Sequence, residues 1–151
     1  MNAQSAQTTH ETPVASARPT PVRLDRLEAL GTVCADTRAR TEELIRLAKR
    51  GLPQMLVRGQ FAHTVRLRDE GLRAEGDSLR YAINVALGAS LLDESEQRRV
   101  LGGQTAGDLV RECIERARWS NDPGAIALAA WTAAEACGLY ADELLERLAA
   151  L

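Results

Sequence analysis

Three carboxylates raise the question of chemistry first. Glu75 and Asp77 stand just ahead of one apolar segment and Asp122 just ahead of another, so a fold that brings the starts of those segments together sets acids on one rim. Two carboxylates flanking a glycosidic bond suit hydrolysis, one donating a proton while the other activates water or attacks. An Asp directly before an apolar helix has a second use as an N-cap, because its oxygen accepts from the free amides of the first turn. Capping is the expected role of Asp77 and Asp122. Glu135 lies inside an apolar run, where a carboxylate needs either a partner or a raised pKa. It is therefore functional or ion-paired, and pairing is expected.

His63 has a side chain suited to general-base work near neutral pH, but no Ser, Cys or carboxylate stands at a spacing that would pair with it, and a structural or surface role is expected. Arg80 and Tyr81 open the first apolar segment, where a polar rim grips a sugar hydroxyl or a carboxylate. The alternative has Arg80 paired with Asp77 one turn back and Tyr81 filling the core. Trp131, the one large ring of the second apolar segment, is the third ligand-contact candidate. Cys34, Cys113 and Cys137 lie far apart, and neither His10 nor His63 has a partner at ligand spacing, so no metal and no cofactor are expected. The three thiols read as buried and free, which suits a reducing, cytoplasmic setting. Gly102, Gly103 and Gly107 flank Thr105 without the spacing or the lysine of a phosphate loop.

The chain that must position these groups has 151 residues, 45% of them hydrophobic and 26% charged, which fits one soluble domain. Its formal charge is −2 and the signs alternate along the chain. The nearest approach to a basic patch, Arg58, Arg66, Arg68 and Arg73, is interrupted by Asp69, Glu70 and Glu75, so no nucleic acid is expected as a partner. All basic residues but Lys49 are arginine, which reads as a compositional bias. No apolar stretch reaches the ~20 residues that cross a bilayer, so no membrane partner is expected either. Residues 1–21, rich in Thr, Ala, Ser, Gln and Pro, read as a disordered leader, and 22–151 as the folded domain.

Leu27, Leu30, Cys34, Thr37, Thr41, Leu44 and Ala48 recur at alternating steps of three and four, predicting one helix from Val22 to Arg50 that Gly51 and Pro53 end. That stripe suits a coiled-coil dimer or docking onto the rest of the domain, and docking is expected. Residues 61–68 alternate, predicting a short strand that turns at Asp69-Glu70-Gly71 into a return strand at Leu72-Arg73. Helices are then predicted over Leu79–Leu92, Thr105–Trp119, Ala125–Cys137 and Asp142–Leu151. The first and third are apolar nearly all round and should lie inside, side by side; the second and fourth are one-sided and should lie outside. Leu109-Val110 and Leu144-Leu145 mark equivalent inward positions on the outer pair. The fold class is all-α, a helical-hairpin repeat with a small β-hairpin near 60–74.

The segment Gly59 to Gly88, GQFAHTVRLRDEGLRAEGDSLRYAINVALG, followed by helix pairs with Ala-rich inner members such as Ala125–Ala136, resembles the opening of α/α-toroid proteins. That class includes six-hairpin glycosidases and terpenoid-cyclase-like enzymes. The resemblance implies a partial toroid, with acid and base groups on the rim that carries Glu75, Asp77 and Asp122. The chain lacks an aspartate-rich cyclase box and a full glycosidase constellation, and further hairpins past Leu151 would be needed to close a toroid. The first functional reading is thus a non-catalytic interaction or scaffold module. The alternative is part of a carbohydrate-active or isoprenoid-active toroid enzyme. An inner helix apolar all round needs cover, supplied either by residues 22–50 folded across it as the lid of a monomer or by a second chain in a homodimer. The lid is the expected form.

Overall fold

The structure, a computed structural model, describes residues 22–150; the proposed leader at 1–21 lies outside the described residues. Seven helices and two small antiparallel hairpins follow one another as α1 (Val22–Val33), α2 (Ala35–Met55), β1 (Leu56–Val57), β2 (Gln60–Phe61), β3 (Thr64–Arg68), β4 (Gly71–Glu75), α3 (Leu79–Ala89), α4 (Glu94–Val100), α5 (Ala106–Arg118), α6 (Pro123–Cys137) and α7 (Asp142–Ala149). Among the described residues no helix is long and apolar enough to cross a membrane.

The predicted helix over 22–50 is two helices. Cys34 adopts extended backbone, with φ −157° and ψ 110°, and breaks the run between α1 and α2. Beyond it α2 passes through Gly51 and Pro53 to Met55, against the expected stop. A proline so near the end removes only one helical bond. Leu52, Met55 and Leu56 pack against the core, and that contact holds the last turn together. The docked face of α2 also differs from the predicted one. Of the predicted stripe only Thr41 is half-buried, together with Ile45, Lys49, Gly51, Leu52 and Met55, whereas Cys34, Thr37, Leu44 and Ala48 remain exposed.

Arg58 and Gly59, at φ 53° and 80°, both occupy the left-handed region and turn β1 into β2, the geometry of a tight two-residue hairpin. The pair delivers Phe61, the only phenylalanine, into the core at 1% exposure. The alternation over 61–68 therefore belongs to two strands, interrupted at 62–63. The expected hairpin follows, with Val65 opposite Ala74 and Leu67 opposite Leu72.

Core formation centres on α5. Its stripe of Ala106, Leu109, Val110, Cys113, Ile114 and Ala117 is buried throughout, and small residues at both ends let α3 and α6 approach on either side. As expected, α3 and α6 also touch each other. As expected, α5 is one-sided, with Asp108, Arg111, Glu115 and Arg118 in solvent; its buried face joins α3 and α6 in one three-helix core, and α7 packs on α6 and α5. The expectation that α3 and α6 are covered nearly all round is corrected, and alanine explains it. A helix rich in Ala looks apolar all round, yet an exposed Ala costs little, so α3 and α6 each leave one face in solvent. On α3 that face carries Tyr81, Asn84, Gly88 and Leu91; on α6 it carries Ala127, Trp131 and Glu135.

Caps account for the helix boundaries. The Thr105 hydroxyl accepts from the Asp108 amide while the Asp108 carboxylate accepts from the Thr105 amide, a reciprocal capping box. Asp122 accepts from the Gly124 and Ala125 amides at the start of α6, and Gly138 closes that helix at φ 64°. The helix α4, absent from the sequence reading, is capped by Asp93, whose carboxylate accepts from Glu96 N at 2.8 Å. Its Gln97 then donates to Leu92 O and accepts from Ala106 N, joining the ends of α3 and α5.

Candidate functional site

Two of the predicted acids, Asp77 and Asp122, do gather at one end of the helical core, but each is held by an arginine. Asp122, at the start of α6, takes a two-pronged contact from Arg80 at the start of α3, with Arg80 Nε donating to Asp122 Oδ2 at 2.7 Å. The two N-termini are thereby side by side and α3 runs parallel to α6. The Arg80 guanidinium, aided by the capping amides, holds the Asp122 carboxyl down at about 2. A carboxylate so stabilised in its charged form is a poor proton donor and a poor base. Arg80 also lies across Gly124, where a β-carbon would collide with the guanidinium.

Asp77 does not cap α3. Ser78 occupies that position, and the Asp77 carboxylate accepts instead from Arg116 of α5 at 2.9 Å. The anticipated Arg80–Asp77 pair is thus replaced by two longer-range pairs, Arg80–Asp122 and Arg116–Asp77, which tie three helices together. Sequence reasoning favoured the neighbour one turn back because the approach of α5 and α6 to α3 is invisible in local spacing. Glu75 lies apart on β4 and accepts from Arg68 at 3.0 Å with Arg66 beside it. The hydrogen bond from Arg68 lowers its pKa.

Glu135 is neither buried nor paired in the core: it is exposed on α6, one turn beyond Trp131, which is itself 52% exposed. The expectations of a buried carboxylate and a buried ring are both corrected. His63 is exposed as well, and among the described residues its side-chain hydrogen bond is with the Thr64 hydroxyl at 3.0 Å. Its ring lies over Gly76 and beside Tyr81, with ring centroids 6.1 Å apart. No carboxylate orients it for catalysis. Among the described residues no cluster of three His, Cys, Asp or Glu is arranged to hold a metal ion. All three cysteines are unpaired, and Cys34 is exposed rather than buried.

A different region has the shape of a site. Between the second half of α2 and the open face of α3 runs a groove of about 410 Å³, with Ile45, Ala48 and Leu52 on one wall and Val85, Gly88 and Leu91 on the other. Tyr81 and Asn84 stand at its rim. Its one charged lining residue, Lys49, is engaged by Glu96 of α4, which pins α2 over the core. Gly88 keeps the groove open, since nothing lies within 4 Å of the place a β-carbon would take. These residues were missed because α3 was read as buried all round. The usable signal was Tyr81, Asn84 and Gly88, which recur at helical spacing and give one face a mixed character.

No protein-family model, no curated protein and no solved structure matches the chain.

Proposed function

We propose that the chain is a non-catalytic interaction module that binds an amphipathic helix of a partner protein in the groove between α2 and α3. One observation carries this reading: the groove is lined mostly by apolar side chains, its one charged residue, Lys49, is engaged by Glu96, and the candidate acids Glu75, Asp77 and Asp122 are held by arginines elsewhere. Catalysis of bond cleavage needs an acid or base free to exchange a proton at the substrate. Recognition of a helix needs an elongated apolar trough with few polar groups at its edge. The eleven residues of α3 give a wall of roughly 16 Å at 1.5 Å per residue, enough for about three turns of a bound helix. Free thiols at Cys34, Cys113 and Cys137 suit a reducing, cytoplasmic setting. The kinship with carbohydrate- or isoprenoid-active α/α toroids, and the helical-hairpin repeat it implies, rest on the sequence pattern alone.

The test uses Gly88→Arg, which fills the groove from a position where the added side chain meets open space. A soluble amphipathic Leu/Lys helical peptide is titrated into the labelled protein and followed by amide NMR shifts. Shifts at Lys49, Leu52, Val85, Gly88 and Leu91 that disappear in the variant are the expected result. Binding unaffected by Gly88→Arg refutes the groove as the site.

A further inference from the structure

The basic run of Arg66, Arg68 and Arg73 changes character once the chain is folded. Asp69 and Glu70, which interrupt it along the sequence, lie in the turn between β3 and β4. Strand alternation then gives the ribbon two unlike faces. Thr64, Arg66 and Arg68 stand opposite Glu75, Arg73 and Gly71, so one face holds three guanidiniums and one carboxylate. Val65 and Leu67 stand opposite Ala74 and Leu72 on the other, where Leu67 is 79% and Leu72 62% exposed. Arg66 and Arg68 share Glu75, and among the described residues Arg73 forms no salt bridge of its own. Directly across the ladder from Arg73 is Arg66, a like-charge pair that costs stability. A carboxylate beside Arg73 and apolar cover beside Leu72 would relieve both faces, and an extended chain presents the two at once because its side chains alternate.

Of the two edges of the ribbon, that of β4 is the freer. β3 touches α2, whereas β4 packs substantially on β3 alone and pairs with no third strand. An outer strand turns every second backbone amide and carbonyl away from its neighbour, ready to pair. We propose that the edge of β4 takes up an extended segment of a partner protein in which acidic and apolar residues alternate, added as a third strand. Charge selects this occupant. A second copy of the chain, paired along the whole of β4, would set Arg73 against Arg73, so the same arginine keeps copies apart and admits an acidic strand. Opposite Gly71 nothing lies within 4 Å of the place a β-carbon would take, which leaves space for a second acid. Opposite Glu75 the segment carries a neutral residue. No residue of β3 or β4 lines the groove between α2 and α3, so this surface is separate from the partner-helix site.

The probe is the peptide Ser-Thr-Val-Glu-Val-Glu-Val-Thr-Ser, titrated into the labelled full chain and followed by amide NMR shifts and hydrogen exchange. Shifts at residues 71–75 with slowed exchange along β4 are the expected result. Arg73→Glu, at an exposed position, should weaken binding about five-fold, the equivalent of one strong cross-strand pair. A peptide with Lys in place of both Glu should show the reverse preference, binding the variant better than the natural chain. Methylating alternate peptide nitrogens should abolish binding in one of the two phases, because one set of amides pairs with β4. Leu72→Thr should weaken binding with the helical spectrum unchanged, and Gly88→Arg should leave it as it was. No shift at 71–75 overturns the proposal. So does equal affinity for the Glu and Lys peptides, binding that survives methylation in both phases, or binding indifferent to Leu72→Thr. A nine-residue poly-glutamate that binds as tightly overturns it in favour of a simple polyanion site, and loss of binding in Gly88→Arg overturns it by moving the peptide to the groove.

Discussion

Leu109 and Leu145 each belong to the apolar pair that the pattern turns inward on a one-sided helix, and the structure separates them. Leu109 is 1% exposed at the centre of α5, between α3 and α6, while Leu145 is 51% exposed on α7. Replacing either by Ala removes the same atoms and changes helix propensity equally little. For Leu109 the lost transfer energy is about 2.4 kcal/mol at ~0.8 kcal/mol per methylene-sized group, and the cavity left between packed helices raises the total to about 3–4 kcal/mol. For Leu145 about half of the transfer term applies and the site opens to solvent without a cavity, so about 1 kcal/mol is expected. Against the ~5–15 kcal/mol that holds a typical domain together, Leu109→Ala removes a large share. Urea denaturation followed by helical circular dichroism measures both, with unchanged slopes required for the comparison. Equal costs, or a greater cost at Leu145, would refute the burial of Leu109 in the core.

The Arg80–Asp122 contact gives a pH signature. Asp122 is held at about 2, below its ordinary 3.8, so the stabilisation is complete above pH 4 and is lost as pH falls through 2. The melting-temperature gap between wild type and Asp122→Asn, which keeps a capping oxygen, should be constant from pH 7 to about 4.5 and close toward pH 2; a gap that widens on acidification contradicts the pairing. Thiol labelling should proceed in the order Cys34, Cys137, Cys113. Thr37 at the start of α2 holds the exposed Cys34 thiol below its ordinary value, whereas burial pushes Cys113 up to about 12. Mass spectrometry showing Cys113 modified first in the native state would be incompatible with this packing. Thr132 is 1% exposed and its hydroxyl makes no hydrogen bond, so Thr132→Val should raise stability by about 1 kcal/mol in thermal or urea melts. A loss of similar size would show that the hydroxyl is satisfied.

Much of the local structure was legible in the residues themselves. Thr105 with Asp108, Asp122 with Pro123, and Gly138 mark the limits of α5 and α6 because caps act within one turn and their chemistry is written in adjacent positions. The hairpin at 64–75 was legible for the same reason, since strand alternation and a turn are short-range signals. The helix α4 carried such a signal too, Asp93 followed by Glu96, and was overlooked.

What the tertiary structure alone decided is which faces meet. Sequence periodicity defined a stripe on α2 but not its partner, and docking chose the adjacent face through Lys49, Leu52 and Met55, leaving Leu44 outside. Alanine-rich helices were ambiguous because Ala is accepted on either side of the surface, so burial of α3, α5 and α6 was set by which combination packs most closely. The carboxylates depended on the same choice. Asp77 and Asp122 became arginine partners instead of a catalytic pair because helix packing brought Arg116 and Arg80 to them across the fold. Capping is a contact of neighbours in the chain and could be read from it; pairing across helices is a contact of neighbours in space, and spacing along the chain does not encode it.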